Sequence, residues 1–261
     1  MATQKRTATK RDPYPLSVSV LVPAYNEEKT IGIILKKLNE LPFVTQIVVV
    51  NDCSKDRTED AVLAIRSKKI DYFKLEQNSG KTAAIRKAKQ MATGDILVIQ
   101  DADLEYDPYE LEEVLDPIQR EIADVVYGSR FLVRKASRVL YFYHYLANKF
   151  LSYLSNIFTN LNMTDIETCY KAFRTEFFKD MPLTSKGFGM EVEITATVGK
   201  MPVRVYEVPI SYYGRTYEEG KKIGMKDGIW AILYILYFNI FGRMNAERRA
   251  FLKRFDGMLE K

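Results

Sequence analysis

The first half of the chain switches repeatedly between two hydrophobic periods. Ser17–Val22 (SVSVLV) is a β-branched run that stops at Pro23 and predicts a strand. Over Glu28–Asn39, the apolar residues Ile31, Ile34, Leu35 and Leu38 recur at helical spacing. Gln46–Val50 predicts a second strand, and Asp56–Ser67 a helix capped by Ser54 or Asp56. Tyr72–Leu75 reads as a short strand, and Thr82–Met91 as a helix that stops at Gly94. Ile96–Ile99 (ILVI) is a wholly apolar strand, and Asp124–Tyr127 begins another. Strands apolar on both sides that alternate with helices imply an α/β fold, a parallel sheet with helices on each face. Ligands of such sheets sit beyond the carboxyl ends of the strands. The sequence places PAYNEE (23–28), NDCS (51–54) and QDAD (100–103) there, a mouth rich in carboxylates.

The second half is patterned differently. Val139–Phe158 opens on VLYFYHYL and is broken by His144, Asn148, Lys149 and Asn156. Ile229–Phe241 is apolar except for Asn239. Both fall short of the ~20 uninterrupted apolar residues a spanning helix needs. Each reads either as a helix lying on a membrane surface, aromatic side in the lipid, or as a helix buried or facing a partner, a second copy of the chain included.

Composition narrows the class. With 261 residues, 47% hydrophobic and 28% charged, the chain is an ordinary globular protein, which excludes disorder, collagen-like repeats and a disulfide scaffold. The two cysteines, Cys53 and Cys169, form no CxxC or metal spacing and fit a reducing compartment. The net charge of +5 is uneven. Residues 1–15 carry four basic side chains against Asp12, and 243–261 hold six basic against three acidic, so the body over 16–242 is slightly acidic. A basic protein often seeks nucleic acid or an anionic surface. Here the excess sits at the two ends, which suits a bilayer surface and not nucleic acid. Residues 1–15 lack the apolar run of a secretory signal and read as a disordered basic arm rather than a transit peptide.

Asp101 and Asp103 flank Ala102 directly after the apolar strand. Two carboxylates so placed repel each other, and burying either unpaired costs several kcal/mol. Mg²⁺ or Mn²⁺, hard cations that take oxygen ligands and bridge to phosphates, supply the missing charge. Asp52 ends the second strand, where α/β nucleotide sites keep an acid; it is also placed to cap the following helix. NSGKT (78–82) is no P-loop, because Leu75 stands where the first glycine belongs, and no GxGxxG is present.

Together with these, VVVNDCSKD (48–56), NSGK (78–81), DADLEYDP (101–108), GSR (128–130) and EVPISYYGRTYEEGKKIGMKDG (207–228) make the chain resemble the family 2 glycosyltransferases. More narrowly it resembles the branch of dolichyl-phosphate mannose and glucose synthases, over roughly residues 16–228. The resemblance implies a GT-A fold over 16–222, with a nucleotide-sugar half (16–130) and an acceptor half (131–222), followed by amphipathic interfacial or oligomerisation helices over 223–261. It implies an inverting, metal-dependent enzyme that moves mannose or glucose from a GDP- or UDP-sugar to a polyprenyl or dolichyl phosphate. The place implied is the cytoplasmic membrane face, peripherally, alone or with a separate membrane-anchor protein.

Carried over residue by residue, Pro23, Tyr25 and Glu27 hold base and ribose, with Asp52 on the base. Asp101, Ala102 and Asp103 meet the donor. Asp101 and Asp103 ligate the metal, with Glu105 where a third ligand is often glutamine. Arg215 with Lys221 or Lys222 corresponds to a loop over the donor diphosphate. Arg130 matches the arginine that binds the lipid phosphate, and Arg138 is the nearest candidate for a second; Asp103, Arg130 and Arg215 form the catalytic set. Between Arg130 and Lys149 lie five basic residues and no acid, Arg134 and Lys135 reading as surface charge. His144, the single histidine, lies near the presumed acceptor site, although packing is the plainer reading of it. Glu191 and Glu193, in GFGMEVEI, fall where relatives keep an acid near the acceptor face, so Glu193 joins the acceptor set. A hydroxyl acceptor would make one of the two the base. A phosphate acceptor, with a second pKa of ~6, is already mostly a dianion near pH 7 and needs none.

Overall fold

The computed structural model describes residues 14–132, 138, 141–214, 225–242 and 245–256. Five strands follow the sequence pattern closely: β1 (Val18–Ala24), β2 (Val44–Asn51), β3 (Ile70–Lys74), β4 (Ile96–Ile99) and β5 (Val125–Ser129). Between them lie α1 (Ile31–Glu40), α2 (Thr58–Leu63), α3 (Lys81–Met91) and α4 (Leu111–Gln119). α1 buries Ile31, Ile34, Leu35 and Leu38, the four residues whose spacing announced it. β1 runs past Pro23 because β4 pairs with it only as far as Leu21, so the proline interrupts no ladder on that side. α2 is shorter than its pattern; Asp56 Oδ1 accepts from the Thr58 N–H at 3.0 Å, while Ser54 Oγ accepts from the Asn26 N–H.

The later elements are α5 (Phe142–Thr159), β6 (Lys171–Arg174), α6 (Thr175–Phe178), α7 (Met190–Val198), β7 (Val205–Pro209), α8 (Met225–Leu236) and α9 (Ala246–Lys253). α8 continues into a π-helical turn over Tyr237–Phe241. The sheet order is β3-β2-β1-β4-β6-β5-β7. Every described pairing is parallel except those of β6, which runs against both β4 and β5. β6 and β7 therefore place the second half of the chain in the same sheet as the first. The carboxyl ends of β1, β2, β4, β5 and β7 open on one edge, and the residues that lead into β6 arrive at that same edge.

α7 is buried along its whole length and forms the floor on which α8 packs. α8 and its π turn bury Ala231, Ile235 and Phe238 and expose Ile229, Trp230, Leu233, Tyr237 and Phe241. α5, packed beside α8, exposes Phe142, Tyr143, Leu146, Phe150, Tyr153 and Ile157. Among the described residues no helix is long and apolar enough to cross a membrane.

Candidate active site

The loops that follow β1 and β2 are stitched together. Asn26 N–H donates to Ser54 Oγ (2.9 Å), Lys55 N–H to Asn26 Oδ1 (2.9 Å), and Glu27 N–H to Thr58 Oγ1 (2.8 Å). Asn26 and Cys53 hold left-handed backbone at φ 55° and 57°. Asparagine tolerates that region; a cysteine there stores on the order of 1 kcal/mol of strain, typical of a ligand-shaping loop. Pro23, Tyr25 and Glu27 are half-buried at this edge, and Glu27 Oε2 accepts from Thr30 Oγ1 at 2.7 Å. Asp52 is only 3% exposed. Its two oxygens accept the backbone N–H groups of Ser79 and Gly80, each at 2.7 Å, so it caps the loop into α3 and not the helix that follows it in sequence. Gly80 takes φ 86° there, a backbone that glycine adopts without penalty.

That turn delivers Lys81. Its ammonium lies 2.8 Å from Asp101 Oδ1 and 3.2 Å from Glu191 Oε1. Burial works against the charge of Lys81, but Asp101, with help from Glu191, holds its pKa well above the ordinary lysine value. Cys169 also interacts with Asp101; burial first, and the Asp101 charge second, push its thiol well up. Asp103 Oδ1 accepts the Glu105 N–H at 3.1 Å. The donor set fits a hard divalent cation: Asp101 and Asp103 offer carboxylate oxygens, and a side-chain ammonium already sits on Asp101 as a stand-in. Glu105 does not join them. Its Oε2 accepts from Tyr212 OH at 3.0 Å, and among the described residues no three acidic, histidine or cysteine side chains converge as a ligand group.

Arg130, just past β5, lies against Asp165 in a bidentate pair, Nε to Oδ2 at 2.7 Å and Nη2 to Oδ1 at 2.8 Å. Asp165 has no exposed surface. Burial opposes the guanidinium charge, and Asp165 more than restores it, so the pKa of Arg130 stands well above its ordinary value. Arg130 also reaches Asn148 Oδ1 on α5 at 3.4 Å and stacks 5.1 Å from the Tyr212 ring. Phe131 meets Tyr145 of α5 edge-on at 5.2 Å. The arginine is thus joined to Glu105 through Tyr212 on one side and to the aromatic helix on the other. His144 lies one turn before Asn148 on α5, its carbonyl accepting from Asn148 Nδ2 at 2.8 Å.

Glu193, which the resemblance places in the acceptor set, is engaged by a loop. It is 1% exposed, and its carboxylate accepts from the backbone of Thr184 and Ser185 at 2.8 Å and from Thr184 Oγ1 at 2.7 Å. It organises the Thr184–Ser185 loop, while Glu191 reaches Lys81 beside Asp101. Arg138 donates from Nη1 to the Gly214 carbonyl at 3.0 Å. Arg134, Lys135, Arg215, Lys221 and Lys222 lie outside the described residues.

Residue-type reasoning passed over Lys81, Asp165, Glu167 and Lys171. For the last three the signal was TDIETCYK (164–171), a run of polar and charged side chains leading into β6; for Lys81 it was NSGK (78–81). Glu167 is pushed up to about 8 by burial and then by Glu191, with Lys171 and Arg130 opposing. Lys171 is lowered by burial, which Glu191 and Glu167 partly offset.

Comparison with known proteins agrees with this geometry. The profile of Glycosyl transferase family 2 matches residues 19–181. A glycosyltransferase of Haloferax volcanii is 28% identical over 207 residues, 78% of this chain and 65% of that one. The undecaprenyl-phosphate mannosyltransferase of Micrococcus luteus is 27% identical over 221 residues, 80% of this chain and 88% of the relative. A dolichyl-phosphate beta-glucosyltransferase of Trichomonas vaginalis is 28% identical over 256 residues, 90% and 76%. Among solved structures, glucosyl-3-phosphoglycerate synthase from Mycobacterium tuberculosis, in complex with Mn²⁺ and UDP-glucose, superposes with a TM-score of 0.67 at 17% identity. That match covers 86% of this chain and 79% of the other and shows a shared GT-A architecture.

Proposed function

The chain belongs to glycosyl transferase family 2, and on that premise we propose that it moves a hexose from a nucleotide sugar to a polyprenyl phosphate at a membrane face. The observation that carries the reading is the unbroken series from Asp103 through Glu105, Tyr212 and Arg130 to the exposed aromatic helix α5. A carboxylate seat for a metal–diphosphate stands at one end, an oriented guanidinium in the middle, and an apolar face at the other. Two relatives whose names specify undecaprenyl or dolichyl phosphate support the lipid acceptor.

In this reading Asp101 and Asp103 would hold Mg²⁺ or Mn²⁺, which would supply positive charge for the leaving diphosphate. Pro23, Tyr25 and Glu27 line the base and ribose end. Asp52 reaches the base only with lone pairs that the Ser79 and Gly80 amides leave over. Arg215 and Lys221 or Lys222 neutralise the diphosphate. Arg130 never loses its charge, and Asp165 fixes two of its nitrogens, leaving Nη1 to meet the acceptor phosphate. Arg138 and His144 belong to the same acceptor side. Because the acceptor is already anionic near pH 7, the protein's task is to position two anions and offset their charge, not to abstract a proton. An oxygen of the acceptor phosphate bonds to the anomeric carbon in line as the bond to the nucleoside diphosphate breaks, so the diphosphate leaves with its electron pair and the carbon is inverted. The donor is a GDP- or UDP-linked mannose or glucose.

The test is incubation of purified protein with labelled GDP-mannose, UDP-glucose and other common donors, Mn²⁺, and dolichyl or undecaprenyl phosphate. Label is expected in the organic phase, with the anomer inverted by NMR. No lipid-linked product from any donor overturns the reading. One observation favours a second reading, a sugar or protein hydroxyl as acceptor: Glu191 Oε2 is buried without a hydrogen-bond partner and is available as a base. That reading requires Glu191→Ala to abolish turnover while donor and metal affinity survive.

A further inference from the structure

Lys81 has no part in the transfer as described, yet its position is built. Asp52 pins the Ser79–Gly80 turn, the positive φ of Gly80 redirects the chain, and α3 begins on Lys81 itself. The side chain is led between acids from two other elements, Asp101 after β4 at 2.8 Å and Glu191 on α7 at 3.2 Å. Glu191 is 6% exposed, and its second oxygen, Oε2, is buried with no donor. Leaving such an oxygen unpaired is costly, and an ammonium has three N–H donors to offer.

We propose that Lys81 competes within the molecule for the cation seat on Asp101, and that Glu191 is the seat to which its ammonium withdraws when a divalent cation binds. The proposal rests on the reading of Asp101 and Asp103 as the cation's ligands. An ammonium and a divalent cation repel strongly at the separation that one carboxylate imposes. Withdrawal needs only side-chain rotation, since Glu191 is already within reach and its free oxygen accepts the displaced donor. The acidic mouth is thereby kept charge-balanced before the metal–donor complex arrives, and Glu191 is a positioning residue that acts through Lys81.

Mn²⁺ binding to the full chain, without nucleotide or lipid, is read from the electron paramagnetic resonance signal of free Mn²⁺. Glu191→Gln is expected to strand Lys81 on Asp101 and weaken Mn²⁺ about tenfold, and Lys81→Gln to vacate Asp101 and tighten it about tenfold. In the Lys81→Gln background, Glu191→Gln is expected to change affinity much less than it does alone, because the two residues share one interaction. Partial unfolding does not move the two single variants in opposite directions. Effects that simply add, or that share one sign, overturn the proposal. Asp103→Asn separates the two levels. If Mn²⁺ affinity is unchanged in it, the cation sits elsewhere and the reading of the seat falls with the proposal; if affinity drops but the cycle is additive, only the role of Lys81 falls.

Discussion

Arg130 and Asp165 are both withdrawn from solvent, and each depends on the other for charge balance. Removing one member of a buried pair costs about 3–5 kcal/mol, because the remaining charge is left unpaired. Asp165→Asn keeps the shape and removes the charge; its urea midpoint is expected to fall by that equivalent, and, in the proposed reaction, KM for polyprenyl phosphate to rise. Glu167 gives a pH signature. Its carboxyl is pushed up to about 8 in the folded chain, mainly by burial, from an ordinary value of 4.5. Between those values the folded state holds a proton that the unfolded state has released, so this residue's contribution makes stability fall as pH rises through the window and level off above it. Glu167→Gln removes that slope. The melting temperature of the variant relative to wild type is expected to climb from pH 5 to pH 8, and a constant difference would show that Glu167 is ionised throughout. Glu191 and Glu193 mark the limit of residue-scale reading. Two residues apart on a helix they point about 200° from each other, and only the packing of α7 decides which one meets Lys81.

At the scale of elements, β1, β2, β4 and β5 were legible because buried apolar residues fall on both of their sides, and β4 is buried along its whole length. β6 and β7 were not: β6 (KAFR) begins and ends on a basic residue, and β7 is only half-buried. The reversal of β6 matters most. The rule that ligands lie after strands searches the wrong end of a reversed strand, so Asp165 and Glu167 escaped it although they stand at the common mouth. Gly94 is a second element-scale feature, since the approach of β4 to β1 needs its missing side chain. A Cβ there would lie 2.7 Å from the Ser19 backbone nitrogen and 2.8 Å from Ser19 Oγ. Gly94→Ala is expected to cost about 2 kcal/mol in denaturant unfolding, as overpacking against backbone does. The π turn after α8 likewise has identifiable support. Lys200 and Arg248 donate to the carbonyl of Phe238 at 3.2 and 3.0 Å, and Lys200 also reaches that of Asn239.

Over the whole molecule, α5 and α8 pack against each other and each leaves several large aromatic and aliphatic side chains exposed, with α5 also reaching Arg130 through Asn148. In the membrane reading this surface seats the protein where a lipid phosphate enters. Tyr143→Ser combined with Trp230→Ser, 81% and 59% exposed in the folded chain, is expected to reduce co-sedimentation with anionic vesicles severalfold and to leave thermal unfolding unchanged. Unchanged sedimentation would remove this face from the anchoring role and leave the basic ends as its source.

The sequence by itself determined the α/β class, most of the first five strands and the strand-end acids, because period and local charge are properties of neighbouring residues. It also placed two amphipathic aromatic segments, one too short and the other too often interrupted by polar residues to span a bilayer. Only the tertiary structure decided which acids meet. Asp52 turned to the loop before α3, Glu105 to Tyr212, Glu193 to a backbone, and Lys81 came to rest between Asp101 and Glu191. Those pairings join residues that are tens of positions apart in most cases, and they follow from strand order and one reversed strand. No local pattern encodes such a contact; burial without compensation is too costly for these charges, so the fold settles their partners.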